Sequence, residues 1–198
     1  MNKQALDNAA IAQLFTEART HNRWQSRALD ADTLHRLYDV AKWAPTSMNT
    51  NPARFVFVIS TAGKERLRPA LAAGNVEKTM AAPLTVIVAS DPKFYEKLPV
   101  LFPTVPNAPT LYRDKPEWAR ETAFRNSSMQ GAYLILAARA LGLDCGPMSG
   151  FDNVKVDAEF FAENDYRSNF LINIGYAGEN STHPRGPRLS FEQAVQIL

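Results

Sequence analysis

The stretch Ala44-Pro45-Thr46-Ser47-Met48-Asn49-Thr50-Asn51-Pro52-Ala53-Arg54-Phe55 decides how this chain is read. Upstream of it, Asp30 can cap a helix in which Leu34, Leu37, Tyr38 and Ala41 recur at i, i+3, i+4 and i+7. Pro45 stops that helix, and Thr46 to Pro52 is a loop of turn formers. Downstream, Phe55-Val56-Phe57-Val58-Ile59 has the apolar, β-branched pattern of a buried strand. Helix, tight polar loop and core strand in that order point to a protein built of both α and β structure.

The same pattern continues outward. Leu6 to Arg19 reads as an amphipathic helix with Ile11, Leu14 and Phe15 on one face, ending in a polar turn. Leu84 to Val88 and Phe170 to Gly175 read as further core strands, with a helix around Asn75 to Ala81 before the first of them. Glu117 to Leu141 is the longest helix, closed by Gly142 as a C-terminal cap. Cys145 to Phe151 is a short strand or loop, and Asp157 to Glu163 a short helix. Ser190 and Gln193 have capping-box spacing for a last helix running to Leu198. Between 92 and 116 stand six prolines together with Phe94, Tyr95, Phe102 and Tyr112. The prolines argue against regular helix or a central strand, so an ordered loop or a mobile lid is expected there.

Composition narrows the function classes. A chain of 198 residues makes one compact domain, 1–198, with enough core to need no disulfide. Net charge is +2, from 22 basic and 20 acidic side chains spread along the chain, which gives no footprint for nucleic acid or an anionic membrane. The single cysteine, Cys145, argues for a reducing compartment. Met1 to Asp7 lacks the apolar core of a signal peptide, and no apolar run reaches the ~18 residues of a membrane helix. A cytoplasmic location is the expectation.

The common catalytic motifs are missing. No G-x-G-x-x-G follows a strand, and Gly63-Lys64 lacks the rest of a phosphate-binding glycine loop. His21, His35 and His183 show no metal-ligand spacing, so no metal is expected. His35 reads as a surface residue and Cys145 as a small buried one. Chemistry brought by a cofactor remains.

Four segments together resemble the nitroreductase family. Arg19-Thr20-His21-Asn22-Arg23-Trp24 is similar to the family's turn that grips the phosphate and ring edge of FMN, where a guanidinium can fork onto phosphate oxygens. Asn22 or Arg23 takes the place of a usual arginine, depending on alignment, and both stay open. Ala44 to Phe55 resembles the family's signature A-P-S-x-x-N-x-Q-P-W-x-F, with Thr46, Asn51 and Ala53 as the departures. In the family this loop, here Pro45, Thr46, Ser47 and Asn49, contacts the flavin held mainly by the other subunit. Asn75 and Lys78, one helical turn apart, correspond to residues at the polar edge of the isoalloxazine. Gly142 to Phe151 resembles the loop over the flavin face, with Met148, Ser149 and Gly150 nearest it. Arg185 and Arg188 resemble the basic residues that complete the phosphate site.

The resemblance implies an α+β, three-layer fold with a central mixed β-sheet flanked by helices, in an intertwined homodimer with FMN at the subunit interface. It implies hydride transfer from NADH or NADPH through flavin N5 to a small acceptor, with no catalytic side chain required. Within the family the chain resembles the malonic semialdehyde reductase (3-hydroxypropanoate dehydrogenase) subgroup. A broad nitroaromatic or quinone reductase, or a dimeric flavin-binding module without turnover, are the alternatives. Residues 92–116 are expected to line the acceptor pocket through Phe102 and Tyr112, with Arg113 holding a carboxylate.

Overall fold

The computed structural model describes residues 4–198, so the first three residues of the Met1 to Asp7 stretch lie outside the described residues. Four strands, β1 (Ala53–Val58), β2 (Leu84–Ser90), β3 (Asp144–Met148) and β4 (Arg167–Gly175), form one sheet in the order β1-β2-β4-β3. Helices follow as α1 (Asn8–Ile11), α2 (Ala31–Ala41), α3 (Thr61–Leu67), α4 (Ala73–Ala81), α5 (Leu98–Leu101), α6 (Ala108–Arg113), α7 (Pro116–Ala140), α8 (Asn153–Phe160) and α9 (Phe191–Ala194).

Strand alternation builds three layers. Leu84, Val86 and Val88 of β2 enter one core with Leu37 and Ala41 of α2 and Leu134 and Ala138 of α7. Ile87 and Ala89 point the other way, against Leu67 of α3 and Val156 of α8. Covered on both faces, β2 is buried at every position. Every ladder is antiparallel, with Val56 opposite Ile87, Ile87 opposite Leu171, and Pro147 opposite Ile172. The sheet of one chain is therefore antiparallel, not mixed as expected. Among the described residues parallel pairing occurs only in the isolated bridge of Thr20 to Cys145.

Local signals set most helix starts. The side chains of Asp30, Ser60 and Asp152 accept from Thr33, Gly63 and Lys155 N–H, capping α2, α3 and α8. α7 runs almost as expected, and Gly142 beyond it takes φ +75°, where a side chain would be strained.

Several expectations are corrected. The first helix is short: α1 passes into a π-helical turn, Ala12–Thr16, and Ile11 and Phe15 remain exposed. Leu14 is half-buried and its carbonyl accepts from Arg139 of α7 at 2.9 Å, so only part of the apolar stripe is covered among the described residues. α3 was not foreseen, and α8 begins before the expected Asp157. The capping box of Ser190 and Gln193 forms, but α9 lasts one turn before Val195 becomes extended, because every residue of α9 is exposed. The segment 92–116 is not a bare loop but carries short helices packed into a small core of their own. Pro99 and Pro109 lie in the first turns of α5 and α6, where a missing N–H costs nothing. Phe94, Leu98, Ala108 and Tyr112 bury themselves against Ala119 and Ala123 of α7. Among the described residues no helix is long and apolar enough to cross a membrane, and no three His, Cys, Asp or Glu side chains group to hold a metal.

Candidate cofactor cleft

The site begins at the sheet edge formed by β3. His21 N–H donates to the Cys145 carbonyl at 2.9 Å, laying the segment Arg19 to Trp24 along the strand. Approach is this close because residue 146 is glycine: a Cβ there would stand 2.4 Å from the His21 carbonyl oxygen. Trp24 anchors the far end of the segment, its indole N–H donating to the Lys78 carbonyl at 3.0 Å.

A second segment crosses over the first. Asn22 N–H donates to Ser181 O at 2.9 Å, Arg185 donates to Ala18 O at 3.2 Å, and the Arg19 guanidinium donates to His183 O. Between the two segments opens a cleft of about 640 Å³. Arg19, Lys78, Arg139, Arg185 and Arg188 all line it, with Thr20, His21, Asn22 and His183, and no carboxylate does. None of these five cations takes part in an ion pair among the described residues. Guanidinium groups tied by one N–H to a carbonyl keep further donors for phosphate oxygens.

His21 joins the cleft to a smaller cavity of about 280 Å³ lined also by Asp144 and Cys145. Burial holds its pKa below the usual histidine range against the opposing pull of Asp144, and Arg19 and Arg139 push the same way as burial. The neutral ring then donates through Nε2 to Asp144 Oδ1 at 3.2 Å and accepts through Nδ1 from Ser181 Oγ at 2.8 Å. Burial pushes the Cys145 thiol up to about 12.

The expected residues separate into groups. Arg19, Thr20, His21, Lys78, Arg185 and Arg188 share the cleft, and Asn22 lines it where Arg23 does not. Asn75 spends its amide on Gly150 O at 2.7 Å, which joins α4 to the loop after β3. Met148 is buried and accepts from Thr79 Oγ1, while Ser149 is exposed. Pro45, Thr46, Ser47 and Asn49 lie at the other edge, leading into β1. There Ser47 N–H donates to Asn126 Oδ1 at 2.8 Å, and Thr46 Oγ1 accepts from Asn51 N–H. Two strands intervene between β1 and β3, so roughly 14 Å of sheet separates that loop from the cleft. Tyr112, expected in the acceptor pocket, is instead a core residue, stacked on Trp118 at 4.5 Å and edge-on to Phe94 at 4.8 Å. Phe102 is half-buried and Arg113 exposed.

A model of the family described as "Nitroreductase family" matches residues 16–176. The chain belongs to the nitroreductase family. Solved structures agree in fold. YdfN of Bacillus subtilis, assigned as a nitroreductase, superposes with a TM-score of 0.87 at 22% identity, over 97% of this chain and all of that one. A protein of Exiguobacterium sibiricum, assigned as a nitroreductase and solved with FMN, gives 0.83 at 20% identity over the whole of both chains. A protein of Staphylococcus epidermidis assigned as an NAD(P)H:FMN oxidoreductase gives 0.84 at 20%, again over both whole chains.

The cleft of this nitroreductase-family chain is lined also by residues that the sequence motifs did not assign to it. Arg139 stands in the last turns of α7 and His183 in the crossing segment, and nothing in their neighbours' spacing marks them. Lys64 is different: it precedes Leu67 by three residues, which places both on one helix face, and both are buried.

Proposed function

We propose that the cleft holds FMN by its phosphate and that the protein is an NAD(P)H-dependent flavin oxidoreductase acting as a homodimer. The observation that carries this reading is the cationic cleft with no carboxylate in its lining. A phosphate monoester brings about two negative charges at neutral pH, and the volume falls within the ~300–1,000 Å³ of small-molecule sites. FMN, when bound, supplies two-electron transfer between nicotinamide and acceptor. The chain's part is to fix the phosphate with Arg19, Arg185 and Arg188, to set Lys78 beside the cofactor, and to exclude bulk water.

A homodimer accounts for the distance between the Pro45–Asn49 loop and the cleft, since a second copy can bring its own loop to the first copy's cofactor. Exposed Ile11, Phe15, Phe124, Phe191 and Ile197 supply apolar surface for such an interface. The acceptor we favour is a small semialdehyde bearing a carboxylate, malonic semialdehyde by the motif resemblance, with exposed Arg113 offering a two-point grip.

Purified protein should be yellow, release FMN at about one per chain, and lose its colour with NADH or NADPH. A colourless protein without affinity for added FMN overturns the reading. Sedimentation at micromolar concentration should give a dimer, and a monomer that holds FMN tightly would refute that part. Steady-state rates with malonic semialdehyde, a nitroaromatic and a quinone distinguish the acceptors.

A further inference from the structure

Lys64, set aside as a phosphate-loop remnant, is buried in the core. Only 3% of it is exposed, and no carboxylate pairs with it among the described residues. Its Nζ donates to the Thr79 carbonyl at 2.8 Å and to Thr85 Oγ1. Thr85 Oγ1 donates to Asn173 Oδ1 at 2.7 Å, and Asn173 Nδ2 donates to Thr79 Oγ1 at 3.3 Å. These four residues close a buried polar ring through α3, α4, β2 and β4, with the Thr79 carbonyl and hydroxyl as its two links to α4. Thr79 Oγ1 continues it to Met148 Sδ at 3.6 Å, at the foot of the Ser149–Gly150 loop.

Burial lowers the Lys64 pKa from 10.5 to about 7. A neutral amine has two N–H donors, and the ring offers it two acceptors. Burying an amine still costs more than burying a methionine of similar length, so its place in the core calls for something that it holds.

What it holds is the last turn of α4. The final carbonyls of a helix lack partners within it. Here Lys78 O is taken by Trp24 and Thr79 O by Lys64. At its other end α4 is tied to Gly150 O by Ala72 N–H and the Asn75 amide. α4 is thus pinned at both ends, with Lys78 on the turn nearest Lys64.

We infer that Lys64 is a positioning residue for the cofactor cleft, its buried amine fixing the last turn of α4 so that Lys78 faces the bound anion. This rests on the FMN reading above.

The test is a double-mutant cycle read by quenching of FMN fluorescence on titration into the apoprotein, with thermal melts to certify folding. Lys64→Met should weaken FMN binding about tenfold, within the coupling range for residues of one network. In the Lys78→Ala background the same substitution should cost less than about twofold, because the group it positions is already gone. Losses that multiply, an unchanged affinity in folded Lys64→Met, or an affinity indifferent to Lys78→Ala would each overturn the inference. If Lys64→Met gives no cooperative melt, Thr85→Val, which removes the amine's second acceptor, takes its place in the cycle with the same two outcomes. Wild-type protein with no affinity for FMN sinks the cofactor assignment and this inference with it; wild type that binds, with multiplying losses, sinks the inference alone.

Discussion

Gly146 and His21 meet backbone to backbone: a Cβ on residue 146 would come within 2.4 Å of the His21 carbonyl oxygen, which no real contact tolerates. Neither backbone can yield cheaply, because His21 is bonded to β3 itself and Gly146 is a strand residue facing Asn173. Gly146→Ala should therefore push the Arg19–Trp24 segment off the strand. The expected cost is about 1–3 kcal/mol of stability, as for other overpacked sites, or several degrees in Tm. FMN affinity should fall as well. A melt and a flavin titration measure both, and a variant equal to wild type in both would show that the contact relaxes without consequence.

Arg19 stands at the junction of the two segments that wall the cleft. Arg19→Ala should weaken FMN binding by about 1.5–3 kcal/mol, the range for a hydrogen bond to a charged group. Riboflavin, which lacks the phosphate, should bind the variant and the wild type alike. Equal losses for both ligands would assign Arg19 to the isoalloxazine or to the local fold instead.

Lys64 should make stability depend on pH in a definite direction. Its pKa is 10.5 when exposed and about 7 in the fold, so between those values the unfolded chain binds the extra proton. Stability then rises with pH through that window and is lost on acidification towards neutrality. Relative to Lys64→Met, the wild type should gain up to about 1.4 kcal/mol per pH unit from pH 7 to 9. Denaturant titrations at three pH values would measure it; parallel curves would mean that the amine stays charged in the fold.

Cys145 should be inert in the native protein. Only 1% of it is exposed, and burial pushes its thiol up to about 12, which leaves almost no thiolate at pH 8. A chromogenic disulfide reagent should find no thiol until denaturant is added, and then one per chain. Rapid native labelling would show that the cavity beside Asp144 opens.

Legibility in the sequence followed the physics of each segment. β2, β4 and α7 were plain because apolar residues recur at the strand or helix period and packing agrees with the pattern. The segment 92–116 misled because proline was weighed as a helix breaker, although in one-turn helices it falls in the first turn and breaks nothing. Tyr112 looked like a pocket wall for the same reason, since its burial depends on Phe94 and Trp118 arriving from either side. Leu6 to Arg19 has a helical stripe, but of that stripe only Leu14 is half-buried against the rest of the described chain, and Ile11 and Phe15 face outward. Within the site, Arg19 and Lys78 were readable from local motifs. Arg139 and His183 were not, because only the crossing of distant segments places them. Lys64 carries a signal in its spacing from Leu67, but beside Gly63 it reads only as a fragment of a phosphate-binding loop.

The bond from Arg19 to His183 spans 164 positions of sequence. All four strands end by Gly175, whereas one wall of the cleft, from His183 to Arg188, lies beyond it, so sheet and cleft draw on different parts of the chain. A chain cut short after Gly175 would keep all four strands yet lose Arg185, Arg188 and one wall of the place proposed for the phosphate.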